Sequence, residues 1–145
     1  MELVSVKGPG VAMVLNDSKK YRPGAPMSIQ TLLVIHDADI NKAVSELRAA
    51  GAEAISINNQ RLTAMSAVRE MGSIIYVNNT PQTPPYVIRA IGDSTRLRGK
   101  LNLPGGIVQN LRRQDPAMIG FRDEKILKIS AYSGAAQSTY AMRDR

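Results

Sequence analysis

Residues 36–62 constrain the fold more than any other part of the chain. Between Ile40 and Ala50 apolar residues recur at helical spacing, with polar residues on the opposite side, and Gly51 follows at the place of a left-handed helix stop. Residues 54–57 then have the pattern of a short buried strand, and residues 58–61 are polar and turn-forming. The stretch predicts a helix, capped by Asp37, that packs on a sheet.

Short apolar runs elsewhere predict further strands. We expect strands at residues 3–6, 11–15, 73–77, 86–91 and 125–129, with residues 30–35 forming either a strand or the lead into the helix. Gly8-Pro9-Gly10 is expected to separate the first two strands, and residues 19–28 to form an exposed loop. Asn78-Asn79 predicts a type I′ hairpin turn, after which three prolines prevent full pairing until about Tyr86.

A second helical region is expected to open at residues 92–94 and to be interrupted by Pro104-Gly105-Gly106. The resulting order is strand, helix, strand, strand, helix, strand. This order predicts an α+β fold, namely a ferredoxin-like βαββαβ plait with a mainly antiparallel sheet, helices packed on one face, and an extra N-terminal strand and loops. With 145 residues, we expect one domain over residues 1–145.

The composition excludes several kinds of chemistry. There is no Cys, so disulfides, thiolate catalysis and Cys-based zinc sites are excluded, and one His is too few for the usual His-rich metal sites. We therefore expect no metal and no cofactor. No apolar run reaches the roughly 18 residues of a membrane helix, and Met1 opens no signal peptide. These features predict either a soluble cytosolic protein or a segment separated from its membrane anchor.

The formal net charge of +7 favours contact with polyanions, such as an anionic wall polymer, anionic lipid or nucleic acid. The basic residues are scattered pairs, however, and a solvated basic surface is the alternative interpretation. Sequence-specific nucleic-acid binding is not expected, because aromatic residues make up only 4% of the chain and no RNP-like pattern surrounds Tyr76 or Tyr86.

Two polar groups supply the candidate binding residues. His36 and Asp37 form the only His–carboxylate neighbourhood, but no nucleophile accompanies them, so a helix-capping and surface role is favoured and no enzymatic activity is expected. Arg61, with Asn58 and Gln60, has the chemistry to hold a carboxylate or phosphate, or alternatively to brace neighbouring backbone. Asn16 and Asp17 complete a polar cluster in which a small ligand would be sought.

Several stretches resemble one bacterial family. They are GPGVAMVLNDS, HDADINKAVSELRAAGAEAISINNQRLTAMSAVR, SIIYVN, PPYVIRAIGD, the later PGG and AYSG. Together they are similar to the YlxW/YlxX-type domain of unknown function, from about Gly8 to Gly134. The resemblance implies a ferredoxin-like core, an N-terminal membrane anchor and coiled coil that are absent from this chain, and genes near those of cell division and wall synthesis in Gram-positive bacteria. It carries over no catalytic residues.

The function that we expect is therefore that of a non-enzymatic interaction domain of a bacterial envelope protein, on the extracytoplasmic side of the membrane. Its partner would be another protein or a second copy of the chain, and membrane contact would come only through the missing anchor. A small-ligand sensor and a polyanion-binding module are the two alternatives.

Overall fold

The computed structural model describes residues 4–20 and 22–132, which form an α+β fold built on antiparallel sheets. The strands are β1 (Val6–Leu15), β2 (Ala54–Ile57), β3 (Gln60–Arg61), β4 (Val68–Met71), β5 (Ile74–Val77), β6 (Thr80–Gln82), β7 (Tyr86–Ile91) and β8 (Ile119–Ile129). The helices are α1 (Met27–Leu32), α2 (Asp37–Ala49), α3 (Ser94–Leu101) and α4 (Ile107–Gln114), and a 3₁₀ turn spans Pro116–Met118. The expected α+β class is thereby confirmed.

The large sheet has the order β3-β2-β7-β1-β8, and every pair of neighbouring strands is antiparallel. Along β1, Val11, Met13 and Leu15 are fully buried and belong to the main core. The apolar stripes of α2, α3 and α4 join the same core, where they supply Ile40, Ala43, Leu47, Leu97, Leu101, Ile107 and Leu111.

The start of β1 differs from the prediction. Gly8-Pro9-Gly10 does not separate two strands, because β1 continues through it with a bulge between Gly8 and Gly10. The backbone of Gly10 lies so close to β7 that an added Cβ atom would be 1.9 Å from the carbonyl oxygen of Ala90. Pro9 is tolerated at the irregularity, where its carbonyl accepts the N–H of Gly92 at 2.8 Å.

A second, smaller sheet has the order β4-β5-β6 and was not expected as a separate unit. The predicted type I′ turn is present, with φ angles of 53° and 64° at Asn78 and Asn79, and it joins β5 to β6. The prediction that full pairing is prevented until about Tyr86 holds only in part, because residues 80–82 already pair with β5. Pro81 fits into a three-residue edge strand, which needs no N–H donor there, and β7 then returns to the large sheet.

Two further boundaries were misplaced. Residues 27–32 form α1, whose first turn follows Pro26 with its preset φ angle. The prediction had given residues up to 28 as loop, and residues from 30 as either a strand or the lead into the next helix. The last strand begins at Ile119 instead of residue 125, because it pairs with the whole length of β1. The second helical region is confirmed as α3 and α4, and the Asp93 carboxylate caps α3 by accepting the N–H of Thr95.

The N-cap of α2 is His36 and not Asp37. Asp37 lies at the first helical position, and its carboxylate accepts the backbone N–H of Glu70 from β4 at 3.1 Å. The Asp39 carboxylate reaches back instead, and it accepts the backbone N–H of His36 at 2.8 Å. The prediction failed here because Asp37 has a tertiary partner that local sequence does not reveal.

We expect Gly10→Ala to lower the free energy of unfolding by about 3 kcal/mol or more, because the new methyl group would overlap the Ala90 carbonyl group. Gly99→Ala is the matched control. Gly99 lies inside α3 with open space where an added Cβ atom would lie, so the same substitution should stabilise the protein by about 0.5–1 kcal/mol. Urea unfolding of both variants measures the difference, and two effects of the same sign would contradict the close approach at Gly10.

Candidate functional site

A groove of about 570 Å³ lies between α1 and α4. Its lining is apolar on the α1 side and polar on the α4 side, and consists of Ile29, Leu32, Leu33, Asp39, Asn110, Arg113 and Gln114. The groove is therefore an amphipathic surface depression formed by two short helices that are distant in sequence.

The wall formed by α1 is unusual, because none of the six residues of this helix is buried. Met27, Ile29 and Leu32 are 73%, 48% and 52% exposed, respectively. A helix this short is marginal on its own and usually persists by burying an apolar face. The apolar residues of α1 thus face solvent beside the groove and are not part of the core.

The opposite wall is cationic. Arg112 and Arg113 lie in the last turn of α4, where positive charge favours the helix dipole. Both side chains are exposed, and neither forms an ion pair with a carboxylate in the described ranges. The lining of the groove consequently offers the Arg113 guanidinium to an incoming anion, and the Arg112 guanidinium is exposed next to it in the same turn of α4.

Ser18 holds the two walls together. Its hydroxyl donates to the Asp115 carboxylate, directly after α4, at 2.6 Å, and its backbone N–H donates to the carbonyl of Leu33, directly after α1, at 2.8 Å. Both Ser18 and Asp115 are buried. The Ser18 hydrogen bond, helped by the N–H of Ala117, holds the pKa of Asp115 below its usual value.

His36 lies at the base of α1 and contacts acceptors on both ring nitrogens. Its Nδ1 atom is 3.1 Å and 3.2 Å from the two carboxylate oxygens of Glu70, and its Nε2 atom is 2.8 Å from the carbonyl oxygen of Thr31. Glu70 also accepts the backbone N–H of Asp37 at 3.1 Å. The imidazole therefore joins α1, α2 and β4 of the small sheet.

The protonation of this cluster follows from these contacts. Burial acts to lower the pKa of His36, but the hydrogen bonds to Thr31 and Glu70 outweigh it, so the pKa lies above 6.5. Burial raises the pKa of Asp39 more than its bond with His36 lowers it. Burial, together with the nearby carboxylates of Asp17 and Glu70, raises the pKa of Tyr86 to about 12.

The candidate residues that the sequence suggested fall into two groups in the structure. Asn16, Asp17, His36 and Asp37 lie around the start of α2, where Asp17 accepts the backbone N–H of Ile35 at 2.8 Å. The Asn16 side chain accepts the N–H of its neighbour Asp17.

The second group lies at the β2–β3 turn. Asn58 accepts the N–H of Val87 at 2.7 Å, and Gln60 faces the Asn78 amide at 3.5 Å. The side chain of Arg61 is only 5% exposed, and its Nη1 atom donates to the carbonyls of Val4 and Ser130 at 2.9 Å and 3.2 Å. These contacts brace backbone, which was the alternative interpretation of this group from the sequence.

Sequence reasoning missed most of the groove. Ile29, Leu32 and Arg113 were not candidates, because residues 30–35 were interpreted as a possible strand and α1 and α4 meet only in the tertiary structure. Glu70 was likewise missed as the partner of His36. The usable signal was the apolar spacing of Ile29, Leu32 and Leu33, which is helical (i, i+3, i+4).

Two features are absent from the part of the chain that the structure describes. No group of three His, Cys, Asp or Glu side chains there could hold a metal ion. Within the same residues, no helix is long and apolar enough to cross a membrane.

Ser18→Ala should raise the pKa of Asp115, because the largest cause of its lowering is the Ser18 hydroxyl. A depressed carboxyl pKa stabilises the fold above the unfolded pKa of about 3.9, and this stability is lost as the pH falls through the lower folded pKa. Carbon-13 NMR titration of the Asp115 carboxyl in the two proteins measures the shift. An identical titration in the variant would show that the hydroxyl does not hold the carboxylate.

Arg61→Ala should lower the free energy of unfolding by about 2–4 kcal/mol, because the carbonyls of Val4 and Ser130 lose their donor and the buried side-chain stem is removed. Arg48→Ala is the control, since its exposed guanidinium makes one hydrogen bond to Thr63 at 3.1 Å, and it should change stability by no more than about 0.5 kcal/mol. Chemical unfolding compares them, and equal effects would contradict the bracing role of Arg61.

Comparison with known proteins places this fold in context. Residues 1–142 match a family described as "Bacterial protein of unknown function (DUF881)". UPF0749 protein YlxW of Bacillus subtilis is 32% identical over 108 residues, which cover 74% of this chain and 46% of that protein. UPF0749 protein Rv1825 of Mycobacterium tuberculosis is 30% identical over 142 residues, covering 95% of this chain and 44% of that protein.

The fold has a relative among solved structures as well. A crystal structure of an uncharacterized conserved protein from Mycobacterium tuberculosis superposes with a TM-score of 0.72 at 26% identity, covering 90% of this chain and 85% of that one. The chain spans about half the length of the two curated relatives named above. The match over residues 1–142 shows that this chain belongs to the DUF881 family of bacterial proteins of unknown function, to which its resemblance to YlxW had pointed.

Proposed function

We propose that this chain is a non-enzymatic interaction domain of a bacterial envelope protein, and that it docks an amphipathic helical segment of a partner protein in the α1–α4 groove. The observation that carries the proposal is the exposed apolar surface of α1, with Ile29 and Leu32 about half exposed at the edge of the groove. Exposed apolar surface of this kind marks interaction sites.

The spacing of the apolar residues favours a helix as the occupant. Ile29, Leu32 and Leu33 form a helical stripe (i, i+3, i+4), and such a stripe beside a groove packs well against the apolar face of a second helix. The groove volume of about 570 Å³ is enough for several side chains. Asn110 and Gln114 on α4 would supply hydrogen bonds at the margin.

The charge of the rim selects among helical partners. Arg112 and Arg113 are exposed without a carboxylate partner in the described part of the chain, so a partner with glutamates or aspartates beside its apolar stripe would complement them. A second copy of this chain is disfavoured, because both copies would bring a net charge of +7 and the same arginines to the interface.

We also propose where in the cell this protein lies and which cellular process it serves. The resemblance to YlxW-type proteins supports a place on the extracytoplasmic side of the envelope, anchored by a segment outside this chain, and a role near division or wall synthesis. Relatives in Bacillus subtilis and Mycobacterium tuberculosis fit a family of Gram-positive and related bacteria. The docked segment would then belong to a protein of that machinery.

We also propose that the core of the large sheet is a ferredoxin-like plait. Two units support this arrangement: β1-α2-β2, and β7 followed by α3, α4 and β8. The order β2-β7-β1-β8 places each strand of one unit beside a strand of the other. On this plan the small sheet and α1 are additions, and α1 is the addition that carries the docking surface.

A small-ligand site at Arg61 has weaker support, since Arg61 donates to two backbone carbonyls and no contact joins it to Asn16 or Asp17 among the described residues. Binding of an anionic polymer rests on the net charge alone. Neither alternative explains why α1 exposes three large apolar side chains.

The test uses a synthetic amphipathic helix with a leucine stripe bordered by glutamates as the probe, followed by fluorescence anisotropy. The wild-type chain should bind it, and an Ile29→Ser/Leu32→Ser double variant should bind roughly tenfold more weakly or worse, because both apolar contacts are lost. Ile126→Ser is the matched control. Ile126 is 69% exposed on β8, away from the groove residues, and its loss should leave the affinity unchanged.

Peptide binding tests the charge of the preferred partner, and light scattering tests whether a second copy of the chain occupies the groove. A peptide with lysines in place of the glutamates should bind more weakly, and Arg112→Ser/Arg113→Ser should abolish the difference between the two peptides. Equal binding by the double variant and the wild type would overturn the proposed groove. Light scattering that detects a dimer, lost in Ile29→Ser/Leu32→Ser, would show instead that a second copy occupies it.

A further inference from the structure

We propose that the docking groove is controlled by the proton on His36: the imidazolium form fixes α1 as a wall of the groove, and loss of the proton releases α1 and weakens docking. This inference rests on the function proposed above, and it concerns the regulation of the same groove. It follows from the position of the imidazole between two hydrogen-bond acceptors.

Both ring nitrogens of His36 lie against hydrogen-bond acceptors. A carbonyl oxygen and a carboxylate can only accept hydrogen bonds, and they lie against Nε2 at 2.8 Å and Nδ1 at 3.1 Å, respectively. Both ring nitrogens must carry hydrogen to satisfy these contacts, which makes the ring a cation. A neutral imidazole has one N–H and would leave one of the two contacts as lone pair against lone pair.

The contact that deprotonation would remove holds the C-terminal end of α1. Thr31 lies in the last turn of α1, where carbonyls lack helical donors, and the His36 ring donates to its carbonyl. The next two residues, Leu32 and Leu33, line the groove. Because no residue of α1 is buried, the helix has no apolar anchor of its own, and its C-terminal end is fixed by the His36 bond to Thr31 together with the Ser18 bond to Leu33.

Several carboxylates lie near His36. His36 is faced by Glu70 from β4 and by Asp37 and Asp39 from its own helix, while Asp17 accepts the N–H of the preceding residue, Ile35. The Tyr86 hydroxyl from β7 lies near Asp17 and Glu70 and stays neutral in the working range, with a pKa of about 12. Loss of the imidazolium charge would leave Glu70 and Asp39, the two carboxylates that act on His36, without this cation. Because Asp39 also lines the groove, the groove would then be less favourable for an acidic partner.

The sign of the pH dependence follows from the raised pKa of His36. The stabilisation is complete below the unfolded pKa of about 6.5 and is lost as the pH rises through the higher folded pKa. Docking should therefore be strong in mildly acidic solution and weak in alkaline solution.

The experiment measures the affinity of the glutamate-bordered peptide between pH 5.5 and 8.5, together with the His36 ring nitrogen shifts and the Leu32 and Leu33 amide shifts in the free protein. The affinity of the wild type should fall roughly fivefold or more over this range, with the same midpoint as the His36 and amide shifts. Ile126→Ser should reproduce that profile.

Two variants separate a proton switch from a merely structural role. Glu70→Gln removes a neighbouring negative charge while keeping an oxygen for the Asp37 N–H, so the midpoint should move to lower pH with the acid-limit affinity retained. His36→Gln should give a weak affinity that no longer depends on pH. A midpoint that stays in place in Glu70→Gln would overturn the assignment to His36.

The outcomes distinguish the two proposals. Strong peptide binding with a flat pH profile would leave the docking groove standing and remove its control by His36. Absence of binding at every pH would remove the groove as a docking site, and its regulation with it. Binding whose midpoint follows the His36 ring shifts would support both.

Discussion

The position of β1 inside the large sheet, between β7 and β8, is the constraint on which the rest of the structure depends. β1 is bonded to β7 on one side and to β8 on the other, and it contributes Val11, Met13 and Leu15 to the core without exposing them. Gly10 lets β1 approach β7 more closely than any side chain would permit. Since α2, α3 and α4 pack into the core that these strands define, the place of each helix follows from β1.

The fold and the site differ in how far local sequence determines them. The stripe of α2, its stop at Gly51 and the Asn78-Asn79 turn were predictable, because each depends on residues within one or two turns of chain. The passage of β1 through Gly8-Pro9-Gly10 was not, since a bulge is set by the partner strands. Tertiary structure likewise decided the partners of β7, which begins at Tyr86 as predicted but pairs with β1 and β2 and not with β5.

The same contrast holds within the candidate site. His36 and Asp37 were found because a lone His beside carboxylates stands out in the sequence, yet their decisive partner, Glu70, lies more than thirty residues away. Arg61 was found for its charge, and tertiary contacts show it bracing Val4 and Ser130. The groove combines α1, which was not predicted as a separate helix, with the end of α4, so no single stretch of sequence indicates it.

The connections of α1 explain why its exposed surface is best understood as functional. A helix without a buried residue gains little from its own side chains, yet two polar contacts hold the C-terminal end of α1. The Ser18 N–H bonds to Leu33, directly after α1, while the Ser18 hydroxyl bonds to Asp115 beyond α4, and His36 bonds to Thr31 in the last turn of α1. These polar contacts fix the distance between the walls of the groove without filling it. Exposing Met27, Ile29 and Leu32 costs solubility in the free protein, and burial against an apolar helix is the arrangement that would recover that cost.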